Sequence, residues 1–274
     1  MSIGMIVTRR KRVIVVQSKT IDLGDMWLSD WIQPDCYACS KEIIDYALDK
    51  YHRLPDADVA VETIGFGNLM VKMAWNVVNT YVRYRYDTDL FSQADFWLTP
   101  NETWTLRFGD CEDTSFLLTS TILRLFEVIR DLQASWWSRL LGKAPVAYTC
   151  IGFYRLSANY YGHGFVLYRN PKYKITDKWF ILETTLEKDV AWNMWIPWEP
   201  SIYIPVYIFN NLECYRIDRD YRKFGLTYEY TRKYLSLIKS MINYVESGIH
   251  TKQKWMHKTI RPAKPKYIDL RLHH

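Results

Sequence analysis

Residues 116–129 carry Phe116, Leu117, Leu118, Ile122, Leu123, Leu125, Phe126 and Ile129. On a helix these apolar side chains fall nearly all round the axis, so the helix has to lie inside the molecule with other elements packed against it. The stretch in front of it is polar and turn-forming: Phe108-Gly109-Asp110-Cys111-Glu112-Asp113-Thr114. Asp110 reads as the N-cap and Asp113 as its N3 partner, a capping box with Asp in place of Glu. Cys111 is then the first helical residue. Helix N-termini carry about half a positive charge and several unpaired N–H groups. That position stabilises a thiolate and offers donors to an oxyanion formed when sulfur attacks a carbonyl. Cys111 is therefore a candidate nucleophile. Glu112 and Asp113 oppose the effect, because neighbouring carboxylates raise a thiol pKa, so a cationic neighbour is required.

Downstream the pattern shifts to short extended runs. Residues 146–154, 163–168 and 178–185 read as strands, with turns at Tyr160-Tyr161-Gly162 and Asn170-Pro171. Strands joined in this way make an antiparallel meander. His163 opens one strand, and Glu183 lies near the end of the next. The start of one antiparallel strand meets the end of its partner, so the two are candidate cross-strand neighbours. Glu183 would orient the imidazole and stabilise its charged form, and the imidazolium would stabilise the Cys111 thiolate.

The remaining segments frame this core. A short strand at 13–16 follows the basic run Thr8-Arg9-Arg10-Lys11-Arg12, which reads as a solvated flank, with an interaction arm as the alternative. Cys36-Tyr37-Ala38-Cys39 has the spacing of half a zinc site, but no second ligand pair follows, so the pair reads as buried or incidental thiols at a helix start. A helix at 40–48 presents Ile43, Ile44, Ala47 and Leu48 on one face. A second, over 66–86, carries Leu69, Met70, Met73, Val77, Tyr81 and Val82 and runs into an alternating, strand-like segment at 82–87. Thr99-Pro100 starts a turn, with Asn101 as the cap of a short helix over 102–106. Trp136 and Trp137 fall in a loop or short helix before Gly142. A strand at 202–209 and a helix at 228–245 follow, and the basic stretch 250–274 reads as an extended arm.

Composition bounds the rest. A chain of 274 residues with 49% hydrophobic residues has ample material for a core. Aromatic residues reach 16%, which suits thick packing or surfaces that dock a protein partner through rings. The net charge of +6 permits an acidic partner and gives nucleic-acid binding no other support. No run approaches the ~18 apolar residues of a membrane span, and the apolar stretch after the basic cluster is too short for a secretory signal. Five cysteines, an odd number, then point to free thiols in a reducing, cytoplasmic setting, with incorporation into a larger particle left open. No cofactor or metal site is expected. The chain divides into a 1–65 extension (short strand plus helix), a 66–210 core, and a 211–274 helical extension with a basic tail.

Three blocks resemble the transglutaminase-like cysteine peptidases of bacteria and archaea. One is Tyr84-Arg85-Tyr86-Asp87, then Asp95-Phe96-Trp97-Leu98-Thr99-Pro100-Asn101-Glu102-Thr103, then Gly109-Asp110-Cys111-Glu112-Asp113. The others are Gly162-His163-Gly164-Phe165-Val166-Leu167 and Ile181-Leu182-Glu183-Thr184-Thr185. Gly164 stands where the family often has alanine, and Glu183 where aspartate is common. The resemblance covers roughly residues 70–190. It implies an α+β, papain-like core with the cysteine helix packed on an antiparallel sheet. It further implies Cys111 as nucleophile, His163 as base and then acid, Glu183 as orienter, and a protein or peptide substrate attacked at an amide or ester carbonyl. Trp97 would either shape the oxyanion site or pack beneath the helix. A non-catalytic assembly protein on the same scaffold is the alternative, supported by the aromatic excess, the basic run and the tail.

Overall fold

The computed structural model describes residues 9–16, 19–91, 96–131, 146–169, 179–185 and 196–255. Trp136, Trp137, the Asn170-Pro171 turn and the C-terminal arm beyond residue 255 lie outside the described residues. The protein is α+β, built on an antiparallel sheet.

Strands β1 (Arg9–Val16) and β2 (Lys19–Trp27) pair antiparallel as a hairpin. Arg9 to Arg12 of the basic run therefore lie within a paired strand. A π-helical turn, Ala38–Glu42, leads into α1 (Ile43–His52), followed by α2 (Ala57–Ile64) and α3 (Phe66–Tyr81). Ile43, Ile44 and Ala47 are buried, and so are Leu69, Met70 and Val77. The helical period thus reports the buried faces of α1 and α3. Helix α2 buries no residue.

Past α3 the chain narrows toward the helix of Cys111. The expected strand at 82–87 shortens to β3 (Arg83–Tyr84), which is followed by α4 (Asp87–Phe91). Helix α5 (Pro100–Leu106) is capped by Thr99, not by Asn101. The Thr99 N–H donates to Glu102 Oε2 at 2.8 Å, and its hydroxyl donates to the same oxygen at 2.7 Å. Proline fits best at the first helical position, which moves the cap to the residue before it. Strand β4 (Phe108–Gly109) pairs parallel with β3 and delivers the chain to α6 (Cys111–Asp131).

Helix α6 packs against the sheet made by β5 (Val146–Leu156), β6 (Asn159–Arg169), β7 (Trp179–Leu182), β8 (Ile196–Pro197), β9 (Tyr203–Phe209) and β10 (Cys214–Arg216). Among the described residues its order is β10-β9-β5-β6-β7-β8, antiparallel throughout. The meander holds for β5 to β8, but β9 returns to the far side of β5. Tyr160, Tyr161 and Gly162 belong to β6, opposite Arg155, Tyr154 and Phe153. The turn sits instead at Ser157-Ala158, where Ser157 takes φ 57°. Two aromatic rings suit a pleated strand better than a reversal.

Alternation along the strands separates two apolar layers. Ala147, Val166, Tyr168 and Leu182 join Leu117, Leu118 and Ile122 of α6 and the buried faces of α1 and α3. Cys150, Phe165, Leu167 and Ile181 join Tyr203, Ile204 and the apolar face of α8 (Tyr228–Trp255), including Tyr234, Ile238 and Ile242. A short α7 (Ile217–Asp220) links β10 toward α8. Phe116, Leu117 and Leu118 are fully buried, and so are the small polar residues Ser115, Thr119 and Thr121, so the first half of α6 is enclosed on all sides. The Thr149 hydroxyl on β5 donates to Thr119 Oγ1 at 2.8 Å, which keeps this helix close to the sheet. Among the described residues no helix is long and apolar enough to cross a membrane.

Candidate active site

The start of α6 is held by its own carboxylates. Asp113 Oδ1 accepts the Leu98 N–H at 2.6 Å, and Asp113 Oδ2 accepts the Asp110 N–H at 3.3 Å. The N3 half of the expected capping box is therefore present, and the same side chain pins the turn before α5. Gly109 has to be glycine for this. A Cβ there would lie 2.7 Å from Asp113 Cβ and 3.1 Å from Thr103 Cγ2. Asp110 Oδ1 is buried without a hydrogen-bond partner. Burial, with Glu112 and Asp113 beside it, pushes the Asp110 carboxyl up to about 12, so it is uncharged at neutral pH. Burial and Glu112 push Asp113 up as well, against the N–H donors of Leu98 and Asp110.

Cys111 opens α6, as the sequence predicts, and is buried. Its thiol donates to Glu112 Oε2 at 3.0 Å. The Gly164 N–H also reaches the sulfur and favours its ionised form. Burial and the neighbouring Glu112 and Asp110 outweigh it and push the thiol well up. The helix start alone does not make a thiolate here; the resting group is a thiol.

His163 and Glu183 meet as the strand geometry predicts. Leu182 stands opposite Val166, which places the next residue, Glu183, on the sheet face of Phe165 and His163. His163 Nε2 lies 2.9 Å from Glu183 Oε2. The other carboxylate oxygen accepts the N–H groups of Thr184 and Thr185, at 3.0 and 3.1 Å, and the Thr185 hydroxyl at 2.8 Å. The Tyr203 hydroxyl donates to Glu183 Oε2 at 3.1 Å. Burial works against this charge, but His163 and the Thr185 donors outweigh it and hold the carboxyl down at about 2. Trp75 Nε1–H fixes the Glu183 carbonyl from α3 at 2.8 Å. Thr185 and Tyr203 are site residues that sequence reading missed. Tyr203 sits on a strand that reaches the site only through the sheet order.

Two contacts bring the strand of His163 and the loop of Glu183 against the first turn of α6. Gly164, directly after His163, lies flat against the first turn of α6. A Cβ on it would stand 2.7 Å from Glu112 Cα and 3.0 Å from the Cys111 carbonyl carbon. Thr114 Oγ1 and Thr184 Oγ1 lie 2.8 Å apart and join the same helical turn to the loop of Glu183. Among the described residues the hydrogen bonds of the thiol go to Glu112 and Gly164, not to the imidazole. Glu183 engages Nε2 of the ring, so Nδ1 is the nitrogen outside that pair. Trp97 packs against Trp31 and Phe116, with ring centroids 5.5 and 5.2 Å apart, beneath the helix.

The same region gathers donors that suit a cation. Asp87, Asp110 and Asp113 bring ligand atoms within 4.8 Å of one another, and so do Asp110, Cys111 and Glu112. The all-carboxylate set has the chemistry of a hard divalent ion. The Asp87 carboxylate also accepts the Phe96 N–H, which ties α4 to the turn before α5.

No family model matches the chain, and no curated protein matches it. Among solved structures it is similar to Legionella pneumophila LapG, at 16% identity and a TM-score of 0.35, over 72% of this chain and 97% of that chain. LapG treated with EGTA gives the same figures.

Proposed function

We propose that the protein is a thiol-dependent hydrolase or acyltransferase on a papain-like, transglutaminase-like core, with Cys111 as nucleophile, His163 as general base and then acid, and Glu183 as orienter. The observation that carries this reading is the His163–Glu183 pair at 2.9 Å, next to Gly164, whose backbone lies against the first turn of α6. In this reading Nδ1 of His163 takes the thiol proton as sulfur attacks an amide or ester carbonyl. The Glu183 carboxylate holds the Nε2–H tautomer and stabilises the imidazolium. The oxyanion is received by N–H groups at the α6 start, and the imidazolium then returns its proton to the leaving group. The acyl-thioester passes to water or to an amine, with a protein or peptide as substrate. The core would span 66–210, flanked by the 1–65 and 211–274 extensions.

The bond from the thiol to Glu112 favours a second reading, in which the same scaffold is non-catalytic and Cys111 is inert. p-Nitrophenyl acetate separates the two. A thiol acyl-enzyme gives a burst of one nitrophenol per chain and an acetyl mass on the Cys111 peptide. Both should vanish in Cys111→Ala, and the burst rate should drop at least ~100-fold in His163→Ala. An acetylation rate at Cys111 unchanged by His163→Ala, or no acetylation there, rejects the catalytic reading.

A further inference from the structure

Cys36 and Cys39 make no contact with that machinery among the described hydrogen bonds; Cys39 lies against the Leu117 carbonyl of α6. The Cys36 carbonyl accepts the Ser40 N–H at 2.8 Å, so Cys36 is the residue at which the helical run begins. Its sulfur accepts the Cys39 N–H at 3.3 Å, the bond a serine N-cap would make. The two side chains also hydrogen-bond to each other. The pair is unequal in access. Cys36 is half-buried beside Tyr37, which is 59% exposed, whereas Cys39 is fully buried, with its sulfur 3.9 Å from the Leu117 carbonyl of α6. Asp35 would discourage a thiolate at Cys36, but Arg124 lies 3.3 Å from its carboxylate. The hydrogen bonds from Cys39 outweigh both burial and Asp35 and lower the Cys36 thiol. Among the described residues no third His, Cys, Asp or Glu donor joins the pair, so it is not three quarters of a zinc site.

We infer that Cys36 and Cys39 form a redox-active dithiol, with Cys36 as the accessible attacking sulfur and Cys39 as the buried resolving one, and a low-molecular-weight disulfide as its oxidant. The Cys36 thiolate attacks one sulfur of the disulfide. That S–S bond breaks, and the first thiolate leaves with the bonding electron pair and takes up a proton. The Cys39 sulfur attacks Cys36 in the mixed disulfide, the remaining bond to the oxidant breaks, and the second thiolate leaves with the bonding electron pair and takes up the Cys39 proton. The protein loses two electrons and two protons overall, and the oxidant becomes two thiols. Cys36 sits at the helix start and not inside it, and its sulfur already faces Cys39, so the two sulfurs are neighbours without unwinding of the helix.

The experiment uses the full chain and oxidised glutathione, with acid quenching, alkylation and peptide mapping. Wild type should form the 36–39 disulfide while Cys111, Cys150 and Cys214 remain alkylatable. Cys39→Ser should accumulate one glutathione at Cys36, at least tenfold above Cys214, because the resolving sulfur is gone. Cys36→Ser, which keeps a capping oxygen, should yield neither product. A wild-type chain that keeps five free thiols, or a Cys39→Ser chain glutathionylated at Cys36 no more than at Cys214, overturns the inference. None of these readouts depends on Cys111, so they stand or fall separately from the hydrolase assignment.

Discussion

Glu183 and Asp110 are carboxyl groups buried to nearly the same depth, 3% and 9% exposed, yet one is held at about 2 and the other is pushed up to about 12. The difference lies in what surrounds them. Glu183 receives His163, Tyr203 and three donors from Thr184 and Thr185. Asp110 has an oxygen with no donor and two acidic neighbours. Donors, not depth, decide whether a buried acid is charged. The base end of the proposed triad is thus set in its working charge state, while the nucleophile end keeps its protons and waits for the base.

The largest expected effect comes from separating the two ends. Gly164→Val places a Cβ against the backbone of Glu112 and Cys111, where no rotamer relieves it. Urea unfolding should show a loss of about 4 kcal/mol or more. A loss under ~1 kcal/mol would mean that β6 and α6 are not wedged together. Next comes the charged end. The Glu183 carboxyl falls from its ordinary 4.5 to about 2 on folding, worth about 3 kcal/mol at neutral pH. A depressed acid stabilises the fold above its unfolded pKa, and that stabilisation is lost as pH falls from about 4.5 through about 2. Glu183→Gln should be less stable by about that amount at pH 7 and should lose less on acidification across that window. Parallel acid titrations of the two proteins by circular dichroism would contradict the contrast with Asp110.

What the chain discloses follows the range of each interaction. Helix α6 is legible because enclosure writes apolar residues on every face, and Cys111 is legible because the turn before it is polar. His163 and Glu183 are legible because consecutive antiparallel strands run past one another, although β6 begins at Asn159 and not at His163. Tyr203 is not, since β9 reaches the site by returning past β5, and nothing local in Tyr203-Ile204-Pro205 encodes that. The β5–β6 reversal misleads for a related reason. Gly162 looks like a turn residue, but the turn is made by Ser157, whose positive φ leaves no mark in composition. The charge states at the helix start are hidden too, because burial decides them, and burial belongs to the folded chain.

The acidic end predicts the opposite pH behaviour to Glu183, with a smaller effect. An acid raised from 3.8 to about 12 on folding keeps a proton that the unfolded chain gives up, so it costs stability increasingly as pH rises above 3.8. Asp110→Asn removes that slope. It should match wild type near pH 4 and exceed it by about 2 kcal/mol at pH 8, the shift being discounted for water reaching the site. Thermal unfolding at both pH values checks this, and a variant no more stable than wild type at pH 8 would show that Asp110 is charged in the fold.

The smallest effect tests which group keeps the proton on sulfur. Glu112 acts on Cys111 twice, as a nearby negative charge and as acceptor of the S–H bond at 3.0 Å. Both favour the neutral thiol. Glu112→Gln removes the charge and keeps the shape, while the Gly164 N–H continues to favour the ionised sulfur. Burial is unchanged, so the thiol stays above its ordinary range but moves down. The pH profile of Cys111 alkylation by iodoacetamide should therefore shift to lower pH, with about tenfold faster labelling at a fixed pH near 8. Cys214, half-buried on the edge strand β10, should not move and serves as the internal reference. If the Cys111 profile does not shift, depth outweighs the carboxylate at the nucleophile end, and the rule drawn from Glu183 and Asp110 does not extend to sulfur.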